Sequence, residues 1–272
     1  MGVYGLNILF DFQMKGLLEI VSVIVRNDDD EKFWYQSVSK RARELNVKLL
    51  IPSSINDDTF IREVSELNPD IGFCCFYPQL FKKSFFSIPK VGFFNLHFAP
   101  LPKYRGALPI PFAIISGESQ HGVTIHKINE GIDSGPIVAQ SLVEIFPYDT
   151  GYDLYKRCEQ AGIALFQKTI QRIVFNKGNI SMREQNEHEA FCHVRKDLKS
   201  LEVMSTWDFN RIYNFVRAFD FPPFELPYMK VGEKQYRLTI RPDRHDIHLH
   251  DLTSIGNNEY KVFMIDESHI NL

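Results

Sequence analysis

The residues best suited to chemistry lie in the run FNLHFAPLPKYRG, between Phe94 and Gly106. Asn95 and His97 are two residues apart, so on a strand both side chains leave the same face. Asn95 carries an amide that can donate hydrogen bonds, and His97 carries an imidazole that titrates near neutral pH. The pair could therefore act on one shared target, with a hydrogen-bond donor beside a proton carrier.

A second cluster, INEGIDSGPIVAQ, runs from Ile128 to Gln140. Glycines at positions 131 and 135 predict a tight loop that holds the carboxylate of Asp133. Such a carboxylate can orient a neighbouring imidazole or influence its charge. Each residue taken alone also fits a structural role, because a solitary histidine is often a hydrogen-bonded polar residue and an aspartate before Ser-Gly is often a turn former.

Short apolar runs alternate with amphipathic stretches from residue 17 to residue 176. This alternation is typical of βα units around a parallel sheet. The predicted buried strands cover residues 20–25, 47–51, 71–76, 93–96, 122–128 and 137–145. In an open parallel sheet, ligands bind beyond the carboxyl ends of the strands, which is where Asn95 and His97 are expected.

Helices are predicted over residues 31–45, 58–67 and 152–175. Asn56 and Asp57 precede the second helix and are residue types that cap the first amide groups of a helix well. The third helix is expected to cover one face of the sheet, since apolar side chains recur in it at helical spacing, at Leu154, Cys158, Ala161 and Leu165. A polar linker is expected over residues 176–189.

The pattern changes near residue 200, where we place a domain boundary. A predicted helix over residues 206–219 is followed by short alternating strands, with turns at 232–233 and 256–258. We therefore expect an α/β domain over residues 1–200 and a small α+β extension over residues 201–272. About 70 residues are marginal for an independent core, so the extension is expected to lean on the first domain.

Composition and charge limit the classes of function. The chain has 272 residues, of which 44% are hydrophobic and 24% charged, as in ordinary globular proteins. Its net charge of −3 reflects 31 basic and 34 acidic residues, and the segment from Met204 onward holds 8 basic and 10 acidic ones. Neither part has the basic surface that binding of a nucleic acid requires, so no nucleic-acid partner is expected.

The four cysteines are Cys74, Cys75, Cys158 and Cys192, and their spacing is not that of metal ligands. The adjacent Cys74 and Cys75 point to opposite faces of any strand. Reduced thiols, a cytoplasmic location and no metal are therefore expected. No segment has the roughly 18 apolar residues needed to span a bilayer, so neither a membrane anchor nor an export signal is expected.

FNLHFAPLPKYRG followed by GIDSGPIVAQ resembles the signature of the 10-formyltetrahydrofolate-dependent formyltransferases. That family carries Asn-x-His at a strand end and a downstream Asp in a glycine-rich loop, which match Asn95, His97 and Asp133. A second match, VRAFDFPPF, runs from residue 216 to residue 224. The similarity covers most of residues 17–240. It implies an α/β fold with a Rossmann-like, mostly parallel sheet and flanking helices, followed by a small C-terminal helix and an antiparallel β extension.

Two features depart from the family pattern. Ala99 stands where many relatives have serine, which removes one expected polar contact with folate. The opening strand of the family is not evident, because residues 2–5, GVYG, are predicted to form a turn. This indicates either a truncated start or a reshaped sheet edge.

The resemblance also implies roles for the three matching residues. His97 would accept the proton of the attacking amine, and Asn95 would donate a hydrogen bond to the oxyanion of the tetrahedral intermediate. Asp133 would set the charge and position of His97 and help to carry the proton toward the folate nitrogen.

For the folate co-substrate, 10-formyltetrahydrofolate, the resemblance implies contacts with a strand end and two loops. Simple core packing is an equally good explanation for the two aromatic residues of this set, and its prolines could serve only to stiffen the loop. The residues are Phe76, Tyr77, Ala99, Pro100, Leu101, Pro102, Asn129 and Ile132.

Acceptors in the family include methionyl-tRNA, glycinamide ribonucleotide and amino sugars carried on nucleotides. The acidic segment after Met204 argues against tRNA, and the glycinamide enzymes are shorter. The sequence therefore favours an amino-sugar nucleotide, with a dTDP-amino-dideoxy sugar for surface polysaccharide such as lipopolysaccharide O-antigen as the specific expectation.

Two sets of residues are candidates for contact with this sugar nucleotide. Lys103 and Arg105 could reach a diphosphate, although a solvated loop is the simpler alternative. Aromatic side chains could stack on the base or bury a domain seam, and these are Phe221, Phe224 and Tyr228.

Three alternatives stay open. A formyltetrahydrofolate hydrolase would use a similar Asn, His and Asp set with water as the acceptor, a methionyl-tRNA formyltransferase would use tRNA, and a binding protein could keep the pocket without activity. Alternating strands over residues 228–240 and 259–265 would expose sheet edges, so a homodimer is also expected.

Overall fold

The first part of the chain alternates short strands with helices, as its apolar runs predict. The computed structural model describes residues 1–26, 35–176, 179–222, 224–241 and 246–251. The elements up to residue 97 are α1 (Gly2–Met14), β1 (Val23–Ile24), α2 (Val38–Glu44), β2 (Leu49–Leu50), α3 (Asp58–Glu66), β3 (Ile71–Cys75), α4 (Lys83–Phe86) and β4 (Gly92–His97).

The remaining elements begin with a very short strand and end in a run of antiparallel strands. They are β5 (Arg105–Gly106), α5 (Pro109–Ile115), β6 (Gln120–Lys127), β7 (Ile137–Glu144), α6 (Gly151–Phe175), β8 (Cys192–His193), α7 (Phe209–Phe219), β9 (Tyr228–Val231), β10 (Lys234–Arg241) and β11 (Asp246–Asp251). Two short 3₁₀ helices, Glu187–Glu189 and Arg195–Asp197, flank β8.

A four-stranded sheet in the order β3-β4-β6-β7 carries the residues singled out above. Strands β3 and β4 run parallel, and β4 and β6 run antiparallel, with Asn95 opposite His126 and His97 opposite Thr124. Strands β1 and β2 form a separate parallel pair. The fold is thus mixed α/β with parallel pairs first in the chain, and the antiparallel β6 brings two further polar side chains opposite the Asn-x-His pair.

The described core is rich in aromatic and branched side chains. The rings of Phe85 and Phe93 stack with centroids 5.2 Å apart, and Phe60 lies beside Phe85. Asp57 caps α3 by accepting the amide hydrogens of Thr59 and Phe60, which confirms the predicted cap. Helix α6 spans nearly the predicted residues, and its predicted apolar face is buried at Leu154 and Cys158.

The beginning of the chain differs from the expectation of a turn. Residues 2–5 form the first turn of α1, because Val3, Gly5 and Leu6 are buried on one face of a helix. A β-carbon at Gly5 would meet the ring of Phe166 at 3.6 Å, an ordinary van der Waals contact, so Gly5 packs closely against this ring. The glycines that suggested a turn are therefore accommodated within a helix.

Other elements are shorter than predicted or were missed. The helix expected over residues 31–45 is α2, capped by Ser37, and residues 31–34 lie outside the described part. The strands expected over 20–25 and 47–51 shrink to two residues each. Helices α4 and α5 were not predicted, and the helix predicted over 206–219 begins at Phe209.

Close contacts divide the chain into two compact units. The first contains Met1–Arg105, Gly122–Leu142 and Cys158–Cys192, with the four-stranded sheet's β3 and β4. The second contains Gly106–His121, Val143–Arg157 and the described residues from His193 onward, and in it α7 packs against α5 and β10. A boundary near residue 200 stays a prediction.

The second unit contains one of the two predicted turns. Strands β9 and β10 pair as an antiparallel hairpin around Gly232, whose φ is +61°, so the turn at residues 232–233 is confirmed. The turn predicted at 256–258 lies outside the described residues. Across the described ranges, no helix is long and apolar enough to cross a membrane.

Candidate active site

Asn95 and His97 leave β4 on the same face, and the loop between β6 and β7 brings Asp133 to both. The amide nitrogen of Asn95 lies 3.2 Å from Oδ1 of Asp133. Nδ1 of His97 lies 3.5 Å from Oδ2 of the same carboxylate. The structure thus brings the three predicted residues together around one carboxylate, inside the first unit.

The geometry of His97 defines which of its nitrogens is available. Its Nε2 lies 2.9 Å from the carbonyl oxygen of Tyr104. A carbonyl oxygen only accepts hydrogen bonds, so Nε2 carries the hydrogen. Nδ1, the nitrogen that faces Asp133, is therefore the one that holds the lone pair in the neutral imidazole.

Burial controls the charge of His97, whose residue surface is only 8% exposed. Loss of hydration lowers the pKa of His97, which the Asp133 carboxylate and the Tyr104 carbonyl partly oppose and the nearby His126 reinforces. The imidazole is therefore neutral at neutral pH. A buried neutral imidazole whose free nitrogen faces a carboxylate can take a proton and keep the resulting charge paired.

The loop that carries Asp133 is closely constrained. Asp133 has a left-handed backbone with φ of +47°, which few residues other than glycine adopt. The side-chain oxygen of Asn129 accepts hydrogen bonds from the Gly131 amide and the Ser134 hydroxyl. A β-carbon at Gly135 would lie 1.8 Å from the carbonyl oxygen of Lys127, so this position has no room for a side chain.

His126 is part of the site, and sequence reasoning missed it. Its Nε2 lies 3.2 Å from the Asn95 amide nitrogen and 3.3 Å from Oδ1 of Asp133, while Nδ1 donates to the Lys127 carbonyl at 3.1 Å. It reaches Asn95 because the antiparallel register sets the two residues opposite each other. The alternation of Thr124 and His126 on one strand face was the available signal, yet that face depends on a pairing between distant segments.

The loop after His97 is tied to the sheet through its backbone. The Thr124 hydroxyl donates to the Ala99 carbonyl at 2.6 Å and accepts from the Leu101 amide. Gln140 donates to the Leu101 carbonyl and to the Thr124 hydroxyl, both at 2.8 Å. Ala99 and Leu101 are buried, whereas Pro100 and Pro102 are half-buried, so within residues 99–102 the prolines are the more accessible side chains.

At the carboxyl end of β3 the structure places Phe76 and Tyr77 in different surroundings. Phe76 is 50% exposed, has a φ of +60°, and meets Phe98 edge-on with ring centroids 4.7 Å apart. Tyr77 packs against Phe81, and its hydroxyl is buried without a hydrogen-bond partner among the described residues. Because half of its surface is exposed, Phe76 is not a core residue. Ile132, in the Asp133 loop, is also partly exposed at 39%.

The two cations of the same loop differ sharply. Lys103 is exposed. Arg105 is 7% exposed, donates to Glu187 at 2.7 and 3.0 Å, and donates to Gln185 at 2.8 and 3.0 Å. The contact expected between Arg105 and a diphosphate is thus replaced by an internal ion pair, because a glutamate about 80 residues away along the chain meets it.

The aromatic candidates lie in the second unit. Phe221 is 7% exposed and packs against Tyr155 and Phe224, with ring centroids 5.1 and 5.2 Å away. This makes Phe221 a core residue of that unit, in place of the base-stacking surface that the sequence suggested. Tyr228 is half-buried at the start of β9, with the Lys230 ammonium 5.8 Å from its ring centre.

The sequence and the fold are both similar to those of known proteins. A family model described as formyl transferase matches residues 10–170. The bifunctional polymyxin resistance protein ArnA of Wigglesworthia glossinidia brevipalpis is 34% identical over 223 residues, which are 81% of this chain and 33% of that protein. The chain therefore spans about a third of the length of this relative.

Two solved structures are also similar. The N-formyltransferase from Helicobacter canadensis, in complex with folinic acid and dTDP-3-aminofucose, is 28% identical with a TM-score of 0.68, covering 86% of this chain and 84% of that one. WlaRD, a sugar 3N-formyl transferase in the presence of dTDP and 5-N-formyl-THF, is 25% identical with a TM-score of 0.69, covering 93% and 94%. Because the family model spans more than half of the sequence, the chain belongs to the formyl transferase family.

Proposed function

We propose that this protein transfers a formyl group from 10-formyltetrahydrofolate to the amine of a nucleotide-linked amino sugar. The observation that carries the proposal is the buried His97, whose Nδ1 faces Asp133 at 3.5 Å beside the amide of Asn95. Two similar structures are described with a folate and a dTDP compound, which supports a dTDP-amino sugar as the acceptor.

The proposed reaction is a simple exchange of bonds. A C–N bond forms between the amine nitrogen and the formyl carbon, and the bond from that carbon to the folate nitrogen breaks. One proton leaves the amine and one is gained by the folate nitrogen, so the reaction consumes no external acid, base or oxidant. Each catalytic group therefore has to return to its starting state.

His97 is the group that holds the proton in transit. Nε2 is committed to the Tyr104 carbonyl, so the proton taken from the amine goes to Nδ1. The imidazolium that results lies against the carboxylate of Asp133, which offsets the cost of a buried charge. His97 then returns the proton to the departing nitrogen.

Asn95 supplies the hydrogen-bond donor for the formyl oxygen. Its amide nitrogen lies 3.2 Å from Nε2 of His126 and 3.2 Å from Oδ1 of Asp133. Both distances are at the long end of the range for hydrogen bonds. One of its hydrogens can therefore turn to an oxygen that gains negative charge. Removal of such a donor typically lowers turnover by about 100- to 1000-fold.

The surroundings of β3 fit a flat heteroaromatic ring that bears polar edges. Phe76 offers exposed apolar surface, and the unpaired, buried hydroxyl of Tyr77 offers a polar group that a ligand can satisfy. We assign the formyl donor to Phe76, Tyr77, Ile132 and the loop over residues 99–102, with Asn129 shaping the loop beside it. When bound there, 10-formyltetrahydrofolate would supply the formyl group.

For the acceptor we retain one cation. Lys103 is exposed near the site and is proposed to meet a phosphate, whereas Arg105 is held inside the protein. Tyr228 and the half-buried Phe224 remain proposals for the base. The net charge of −3 supports a small acceptor over tRNA.

The experiment is a product assay with defined acceptors. The purified protein is mixed with 10-formyltetrahydrofolate and dTDP sugars that carry an amine at carbon 3 or at carbon 4, and the mass of each sugar nucleotide is followed. Parallel mixtures contain methionyl-tRNA or no acceptor. A gain of one formyl group on a sugar nucleotide is expected. Formylation of methionyl-tRNA alone, or release of folate without any acceptor, would instead identify a tRNA enzyme or a hydrolase.

Assembly and location belong to the same proposal. A homodimer is proposed because β9 lies at an edge of the β11-β10-β9 sheet, where Tyr228 bonds the backbone of Leu201 and Val203 and residues 229–231 continue the strand. Sedimentation at micromolar concentration should then show a species of twice 31.7 kDa, and a monomer alone would contradict it. We also propose that the protein acts in the cytoplasm in surface polysaccharide synthesis, a role that a dTDP-amino sugar as acceptor supports.

A further inference from the structure

Gln185 links the loop that holds Asp133 to the loop that holds His97. Its Nε2 donates to the carbonyl oxygens of Asp133 and Gly135, at 2.8 and 2.7 Å. Its Oε1 accepts from Nε and Nη2 of Arg105, at 3.0 and 2.8 Å. Both hydrogens and both lone pairs of the carboxamide are thereby used, so its orientation is strongly determined.

Arg105 anchors the other end of this link. Its guanidinium is buried and paired with the carboxylate of Glu187. The preceding residue, Tyr104, provides the carbonyl that accepts Nε2 of His97. A continuous path of hydrogen bonds and one peptide therefore runs from His97 through Tyr104, Arg105 and Gln185 to the backbone of Asp133.

Asp133 needs such support because of its backbone conformation. A φ of +47° is unfavourable for a residue with a β-carbon, although aspartate tolerates it better than most. Gln185 binds the carbonyl of this residue and that of Gly135, on either side of Ser134. These two hydrogen bonds hold the turn that directs the Asp133 carboxylate at His97.

We propose that Gln185, held by Arg105, is a positioning residue that sets the distance between the Asp133 carboxylate and the His97 imidazole. The inference deepens the proposed function and rests on it. Gln185 lies beyond residues 10–170, which the formyl transferase model matches. The segment predicted to be a polar linker thus takes part in the site.

The charges around His97 show what loss of this residue does. The imidazole faces the Asp133 carboxylate, the Tyr104 carbonyl and the ring of His126. Of these, Asp133 is the main group that raises the pKa of His97 against the effect of burial. When the carboxylate moves away, the pKa of His97 falls and a proton held on Nδ1 loses its counter-charge.

The test compares two substitutions of Gln185 that remove different hydrogen bonds. Gln185→Glu keeps an acceptor for Arg105 but removes both donors to the Asp133 loop, and Gln185→Met removes every hydrogen bond at similar volume. The matched control is Glu184→Gln, the reverse exchange at the exposed preceding residue. We expect kcat to fall about 100-fold in Gln185→Glu, as for a catalytic group displaced by about 1 Å, while KM for both substrates stays unchanged. The control variant Glu184→Gln should keep the wild-type kcat.

Two readouts separate positioning from a general structural role. Titration of the His97 ring protons by NMR, without any substrate, should give a lower pKa in Gln185→Met than in the wild type, because this exchange adds no charge near the imidazole. Gln185→Glu added to Asp133→Asn should cause no further loss of kcat, because both changes act through the same carboxylate. If Gln185→Glu does not fold, kcat and the double variant are measured with Gln185→Met.

An unchanged His97 pKa with normal kcat, or losses that multiply in the double variant, would overturn the proposal. The NMR titration also separates this proposal from the proposed function. A wild-type protein that formylates no acceptor refutes the function, while the His97 pKa in Gln185→Met still decides whether Gln185 positions Asp133.

Discussion

Adding one methyl group at Gly135 is expected to disable formyl transfer while the protein still folds. The new β-carbon would lie 1.8 Å from the Lys127 carbonyl oxygen, and ordinary contact begins at 3.4 Å, so the two segments must separate by about 1.6 Å. Gly135 is two residues from Asp133 and shares its support from Gln185. Because displacement by about 1 Å can cost a factor of about 100 in rate, we expect at least that loss of kcat in Gly135→Ala.

The assay is formyl transfer under saturating substrates, together with urea unfolding. Overpacking of this kind typically costs about 1–3 kcal/mol in the free energy of unfolding, which leaves most of the protein folded. Gly16→Ala is the matched control, because its added β-carbon meets nothing within 4 Å and only its φ of +68° opposes the change. Wild-type kcat in Gly135→Ala would refute the view that this loop positions a catalytic carboxylate.

Three further predictions concern other groups. Burial raises the pKa of Cys74 to about 12 and of Cys75 to about 11, so iodoacetamide at pH 8 should label the exposed Cys192 first, and rapid labelling of Cys74 would contradict the structure. Phe85→Ala should lower the free energy of unfolding by about 3–5 kcal/mol in urea, since its ring is 1% exposed. The folded-state pKa of His97 is lowered, so the unfolded chain binds the proton first and stability falls as pH drops below about 6.5. In His97→Gln the free energy of unfolding should decrease less steeply as the pH drops. An equal pH dependence in the variant and the wild type would contradict this role of His97.

Local patterns predicted the part of the site that depends on one strand. Asn95 and His97 share a face because side chains alternate along any strand, whatever pairs with it. Asp133 was predicted as a site residue because it lies in a glycine-rich loop, whose tight turn leaves the backbone few conformations. The same kind of reasoning placed the cap at Asp57 and the long helix α6 within about one residue of its bounds.

The rest of the site depends on contacts between distant segments. His126 joins Asn95 only through the register of β4 and β6, and Arg105 is buried only because Glu187 meets it. Neither pairing leaves a periodic signal in the sequence. The helix at the start of the chain was missed for a related reason, since the glycines of residues 2–5 favour a turn locally while burial of Val3 and Leu6 favours a helix.

The most direct test of the central claim is a single-turnover comparison of the wild type with His97→Gln. Enzyme in excess over 10-formyltetrahydrofolate is mixed with the accepted sugar nucleotide, and the formyl group on the sugar is followed by mass. If Nδ1 of His97 carries the amine's proton, the variant should be slower by at least about 100-fold although it still binds folate. Equal rates in the two proteins would show that another group accepts the proton and would contradict the assignment of His97.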